Sequence, residues 1–251
     1  MRNNTPQDVR LEFARLLREG LFTSVNREAS MTSLVGNRTI EIIGANLTAS
    51  DEALFGKLDY DYLHREEQWY DSMSLNVNDI PGGAPQVWKA VATKEGLINS
   101  NYGWTTYSPE NGAQFDKVIA ELKKNLESRR AIVIYTRPSM WEEYNKDGRS
   151  DFMCTNAVQY LVRDGAVHAV VQMRSNDAVF GYKNDRAWQH TVLSRVAEKL
   201  ELPVGDLHWN AGSLHVYERH FFLVDHFDKS GELAITKSAY RELYPESPYG
   251  K

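Results

Sequence analysis

The chain has 251 residues, 42% hydrophobic and 25% charged, with a formal net charge of -5. That composition supports the core of a globular enzyme and excludes a protein that coats nucleic acid, which needs a surplus of Lys and Arg. No apolar run approaches the ~20 residues that span a bilayer, and the N-terminus MRNNTPQDVRLEF lacks a signal peptide's apolar stretch, so the expected location is the cytoplasm, or a host's cytoplasm, with no membrane partner. The single cysteine, Cys154, allows no intrachain disulfide and builds no structural zinc site alone; no metal is expected. No repeat or linker interrupts the sequence, so residues 1–251 read as one domain.

In chain order, Thr5-Pro6 followed by Val9, Phe13, Leu16 and Leu17 predicts a capped amphipathic helix stopped by Gly20. Residues 39–43 read as a strand ending at Gly44, 60–73 as a helix and 85–92 as a short helix. Residues 112–126 predict a helix with Phe115, Val118, Ile119 and Leu122 on one face, followed by a strand over 131–135. Residues 157–162 and 167–173 flank Asp164-Gly165, the clearest hairpin signal in the chain. Helical spacing returns in Trp188, Val192, Val196 and Leu200, then a strand at 214–217 and an aromatic helix with His220, Phe221 and Phe222. Strands and helices mix without regular alternation, so the fold class is α+β, a mixed β-sheet with packed helices. Neither GxxxxGK[ST] nor GxGxxG occurs, which argues against a P-loop nucleotidase or a Rossmann dehydrogenase.

Cys154 begins a strand-like run after the polar stretch 145–151. A lone intracellular cysteine is usually a small buried hydrophobe. Here, arginines from other segments could reach it and favour thiolate. Two arginine groups sit at strand edges, Ser128-Arg129-Arg130 before AIVIY and Arg174-Ser175 after the second hairpin strand. Guanidinium forks at such edges match an oxyanion such as phosphate.

From Cys154 to Tyr217 the chain resembles the thymidylate synthase superfamily. The matching pieces are Cys154, QMRSND (172–177), Phe180-Gly181 and LHVY (214–217). Upstream, REEQWY (65–70) is similar to that family's Glu-containing helix, NYGW (101–104) to its Tyr-Gly loop and Ser128-Arg129-Arg130 to its dimer-crossing arginine pair. TIEIIGA, INSNYGW, YTRPSM, DFMCTN and SLHVY resemble its phage deoxycytidylate hydroxymethylase branch over nearly the whole chain.

The resemblance implies a thymidylate synthase-like fold, a homodimer through the sheet face, and one-carbon transfer from 5,10-methylenetetrahydrofolate to C5 of dCMP. Cys154 is then the nucleophile that attacks C6, and Glu66 organises water and proton transfers. Asp185 stands where thymidylate synthases carry an Asn. A carboxylate accepts from the cytosine amino group and bridges to N3 through a shared proton, whereas an amide suits uracil; protonating N3 also makes C6 more electrophilic, so Asp185 is expected to serve catalysis as well as base selection. The other reading of Asp185 is an N-cap for a helix starting near Arg186. Arg174 and Ser175 are expected to hold the 5'-phosphate, with Arg129 and Arg130 arriving from the neighbouring subunit. His215 and Tyr217 are expected at the deoxyribose hydroxyl and Tyr102 in the polar network near the nucleophile. Asp177, Gly181 and Trp88 are expected at the folate, with Gly181 allowing close backbone approach.

Two features depart from the family pattern. Leu34 stands where the phosphate loop carries an Arg, for which Arg38 is the candidate substitute, and residues 245–251 do not resemble the tail that closes over folate. A dCMP or CMP methylase, or a non-catalytic nucleotide-binding protein, remains an alternative. Other enzymes of nucleotide synthesis are possible partners.

Overall fold

The computed structural model describes residues 4–24 and 36–250. Helix α1 (Pro6–Arg18) opens with a capping box: Asp8 N–H donates to the Thr5 hydroxyl while Thr5 N–H donates to the Asp8 carboxylate. The apolar positions predicted for it, Val9, Phe13, Leu16 and Leu17, are all buried. Strands β1 (Thr23–Ser24) and β2 (Arg38–Thr48) follow as an antiparallel pair. Strand β2 runs on past Gly44, which takes a positive φ of 68° inside it. A glycine there is a kink that pairing absorbs, so the predicted end at Gly44 was too early.

Next come α2 (Tyr60–Asp71), capped by Asp59, then α3 (Gln86–Val91), α4 (Tyr102–Tyr107) and α5 (Gln114–Lys124). Strand β3 (Ile132–Ile134) and the short helix α6 (Met140–Glu143) lead to the hairpin of β4 (Thr155–Arg163) and β5 (Ala166–Asp177). Asp164 and Gly165 both have positive φ, 49° and 75°, as the tight turn demands. Helix α7 (Gly181–Leu200), β6 (Val204–Tyr217), α8 (Phe221–Ser230) and α9 (Lys237–Leu243) complete the chain. The sheet order is β1-β2-β6-β5-β4-β3, an α+β arrangement.

Two compact units divide the chain. The first comprises Met1–Leu58, Ser175–Arg186 and Trp209–Lys251; the second comprises Asp59–Arg174 and Ala187–His208. In the first, α1 packs on α8 and β2, and Phe55 meets the rings of Phe13 and Phe227 edge-on at 6.0 and 5.9 Å. In the second, Tyr70 stacks on Tyr102 at 5.5 Å and lies 4.9 Å from Trp188, building an aromatic core behind α2 and α4. Among the described residues no helix is long and apolar enough to cross a membrane.

Candidate active site

Cys154 lies immediately before β4, half-buried. The loop before it is pinned by polar contacts: the Asp151 carboxylate accepts from Asn99 N–H at 2.6 Å, and Arg149 donates to the Asn99 side chain at 3.0 Å. Arg174 comes to the thiol from β5. Its backbone N–H donates to Cys154 O at 2.9 Å, and its guanidinium donates to Met153 O and Phe152 O and lies 3.8 Å from Sγ. The pairing of β4 with β5 therefore delivers the cation to the sulfur, as the sequence reading expected of arginines from other segments. A guanidinium so placed favours an anionic sulfur nucleophile.

The residue after the cysteine ties in Tyr102. The Thr155 hydroxyl donates to Tyr102 Oη at 3.0 Å. Tyr102 opens α4, whose N-cap Asn101 accepts from Trp104 N–H and donates to the Trp69 and Ser74 carbonyls. Gly103 is required by packing: a Cβ there would stand 1.7 Å from Tyr70 O. The predicted Tyr-Gly loop is thus the first turn of a helix pressed against α2.

Glu66 is buried on the inner face of α2. One oxygen, Oε1, accepts from Tyr62 Oη at 2.5 Å and from Trp88 Nε1 at 3.2 Å. The same indole lies 3.1 Å from Tyr62 Oη. Burial pushes the Glu66 carboxyl above its usual range, and the two neutral donors only partly offset it. Sequence reasoning missed Tyr62. The signal was available in its i,i+4 spacing to Glu66 on one helix. The Trp88 indole N–H is committed to this pair, and its ring meets that of Trp69 edge-on at 5.4 Å.

The first unit holds a second group. Asp185 lies inside α7, not at its start, because the helix begins at Gly181. The N-cap reading is therefore wrong, and the helical pattern from Trp188 gave only the later part of the element. Asp185 Oδ2 accepts from Asn176 Nδ2 at 2.8 Å. Gly181 sits against this pair: a Cβ would fall 3.1 Å from Asn176 Nδ2 and 3.6 Å from Asp185 Oδ2. Asp177 accepts from Val179 N–H at 2.9 Å. Withdrawal from water raises its carboxyl, opposed by that N–H and by the cationic forms of His215 and Arg219. His215 is buried, 3.2 Å from the Ser213 hydroxyl through Nδ1, with its ring 4.8 Å from that of Tyr217. His220 falls in a 3-10 turn before α8 rather than within the predicted aromatic helix, and burial beside Arg219, Lys183 and Lys237 lowers it to about 3, so it stays neutral.

Arg129 and Arg130 are both exposed, Arg130 pairing with Glu121 at 3.1 Å. Leu34 lies outside the described residues. Arg38 is half-exposed and engaged, its guanidinium 2.6 Å from Glu218 and over the Phe22 ring, so a phosphate would have to displace a carboxylate to use it. Residues 245–250 are fastened: Ser247 meets Tyr240 Oη at 2.6 Å, Arg241 donates to Gly250 O, and Tyr249 packs edge-on against Phe221. His168, Asp206 and His208 bring possible ligand atoms within 4.8 Å of one another. The Nδ1 of His168 already accepts from Asp206 N–H at 2.9 Å, a bond that a metal bound there would have to displace.

Residues 46–230 match the family model for thymidylate synthase, and the chain belongs to that family. It is 50% identical to the deoxycytidylate 5-hydroxymethyltransferase of Enterobacteria phage T4, with 96% of this chain and 97% of that protein covered. The enzyme of the same name from Enterobacteria phage T6 is also 50% identical, over 94% of this chain and 96% of its own length. Among solved structures, a thermostable thymidylate synthase A from Bacillus subtilis shares the fold, with a TM-score of 0.59 and 24% identity over 73% of this chain and 68% of that one.

Proposed function

We propose that this chain is a one-carbon transferase acting at C5 of dCMP, with 5-hydroxymethyl-dCMP and tetrahydrofolate as products. The observation that carries this reading is identity at half of the aligned positions, over 96% of the chain, to an enzyme named deoxycytidylate 5-hydroxymethyltransferase. The thiol–guanidinium pair of Cys154 and Arg174 and the buried carboxyl of Glu66 support it.

Cys154 Sγ adds to C6, which makes C5 nucleophilic. 5,10-Methylenetetrahydrofolate, as cosubstrate, supplies the one-carbon unit. C5 gives up its proton, water adds to the new exocyclic carbon, and the C6–S bond breaks to release Cys154. Glu66, held through Oε1 by Tyr62 and Trp88, has Oε2 left for the water and proton transfers. Asp185 reads the cytosine amino group. Tyr102 holds the polar network beside Cys154. Arg174 and Ser175 bind the 5'-phosphate, and His215 and Tyr217 the deoxyribose hydroxyl. Asp177, Trp88 and Gly181 are assigned to the folate on the family resemblance, Asp177 as the acceptor for pterin N–H donors.

The working unit is a homodimer in which the exposed Arg129 and Arg130 reach the phosphate bound by a second copy, and residues 1–251 serve as one catalytic domain. The kinship with phage enzymes supports action in a host cytoplasm. A turnover assay with methylenetetrahydrofolate and dCMP, CMP or dUMP tests the activity. Product from dCMP in preference to the others is expected, and none from dCMP overturns the reading. Sedimentation tests the dimer, and a monomer of full activity excludes it. Mixing Cys154→Ala with Arg130→Ala chains should restore activity, because one site of a mixed dimer is then intact.

A further inference from the structure

Asn176 is the penultimate residue of β5, just ahead of the turn into α7, and only 2% of it is exposed. Its amide is used on one side only. Nδ2 donates to Asp185 Oδ2 at 2.8 Å, while Oδ1 is buried and has no hydrogen-bond partner among the described residues. The assignment of the amide is fixed by its neighbour, since the reversed orientation would set two acceptors against each other. An orphaned acceptor in a protein interior is uncommon and marks a missing partner. Amide geometry places Oδ1 roughly 2.3 Å from Nδ2, so the orphan lies close to the carboxylate of Asp185.

Gly181 is part of the same arrangement. A side chain at that position would press on Asn176 Nδ2 at 3.1 Å and on Asp177 Cβ at 3.3 Å, and would touch Asp185 Oδ2 at ordinary contact distance. The residue that the family resemblance assigns to the folate thus also makes room for the Asn176–Asp185 pair.

We propose that Asn176 is a second base-selecting residue, which fixes the Asp185 carboxylate through Nδ2 and offers Oδ1 as an acceptor for the second N–H of the cytosine amino group. This rests on the reading of Asp185 as the residue that meets the base. The chemistry is complementary. An exocyclic amino group carries two donors, and Asn176 Oδ1 adds an acceptor beside the carboxylate that its own Nδ2 orients. Uracil presents a carbonyl oxygen at that place, which would face two acceptors and no donor. Discrimination then comes from an unpaired group in the wrong complex as much as from a bond in the right one.

The test is kcat/KM for dCMP and dUMP in Asn176→Ala and Asn176→Asp, with Kd for both nucleotides measured without folate. Ala removes both the donor and the acceptor. Asp keeps the size and loses the donor to Asp185. The expected result is a fall in the dCMP:dUMP ratio of about tenfold or more in each, with the loss in Kd as well as in turnover. A merely structural Asn176 would lower melting temperature and reduce both nucleotides alike, and an unchanged ratio in a folded variant overturns the proposal. Asp185→Asn serves as the reference. If it leaves the ratio unchanged, the base-reading role of Asp185 fails; if it shifts the ratio and the Asn176 variants do not, only the role of Asn176 fails. Gly181→Ala should give a smaller shift in the same direction, and an increase in dCMP preference would contradict the arrangement.

Discussion

Glu66 and Asp177 are both carboxyls raised by burial, and their surroundings differ in kind. Glu66 is met by two neutral donors, Tyr62 and Trp88. Arg65 lies over the Tyr62 ring, and Arg195 is turned to Glu67 and Asp71 on another face of α2. Asp177 is met by a backbone N–H and by the charges of His215 and Arg219. A carboxyl among neutral donors can keep or give up a proton at little cost to its neighbours. One among cations has the rise that burial causes opposed by their charges as well as by its hydrogen bond. The group in the second unit is the one we assign to chemistry, and the group in the first the one we assign to recognition.

That contrast predicts how variants divide. The largest effect is expected at Cys154. Cys154→Ser should reduce kcat to less than a few per cent of wild type while dCMP binding persists, because a hydroxyl is far less ionised than a thiol. Retained turnover would remove the covalent step.

Glu66→Gln should lower kcat by about 10²–10⁴, the usual worth of a positioned acid–base group, and change Kd for dCMP little. It also carries a stability signature. The folded carboxyl is raised above its ordinary value of 4.5, so the native state holds a proton that the unfolded chain releases. Its contribution is therefore fully present below 4.5 and lost as pH rises through the folded value. Glu66→Gln does not titrate, so its melting temperature relative to wild type should improve from pH 5 to pH 8. A constant difference would mean that the carboxyl is not raised.

Asp185→Asn should move the dCMP:dUMP ratio of kcat/KM by about tenfold to a hundredfold, from the loss of one matched buried hydrogen bond, with folate binding changed less. An equal fall for both nucleotides would place Asp185 with the catalytic group and blur the contrast. The smallest effect is expected at the N-cap of α1, where the Thr5 hydroxyl bonds to Asp8 and to neither Glu66 nor Asp177. Thr5→Ala removes half of the capping box of α1 and should cost about 1 kcal/mol in denaturant unfolding, with kcat and the nucleotide ratio unchanged. A shift in either would show that the two groups respond to general loosening.

The sequence made the order of strands and helices from β3 to α7 largely legible, because period and turn chemistry agree there: Asp164-Gly165 marks the hairpin, and Phe115, Val118 and Leu122 the buried face of α5. It understated β6, whose first ten residues, VGDLHWNAGS, contain few strand-formers and are extended by pairing within the sheet. It began α7 seven residues late, because Gly181, Lys183 and Asn184 give no apolar spacing. Cys154, Arg174 and Glu66 were legible through the family likeness. The contact of Arg174 with the sulfur, Tyr62 on Glu66 and Asn176 on Asp185 were not, since each depends on side chains that only folding brings within hydrogen-bond reach.

The central claim is that water, not hydride, completes the reaction. The direct measurement is a single incubation with dCMP and methylenetetrahydrofolate, in which the nucleotide product is identified by mass and the folate by its oxidation state. The account predicts 5-hydroxymethyl-dCMP with tetrahydrofolate in equal amounts, and 5-methyl-dCMP with dihydrofolate would contradict it.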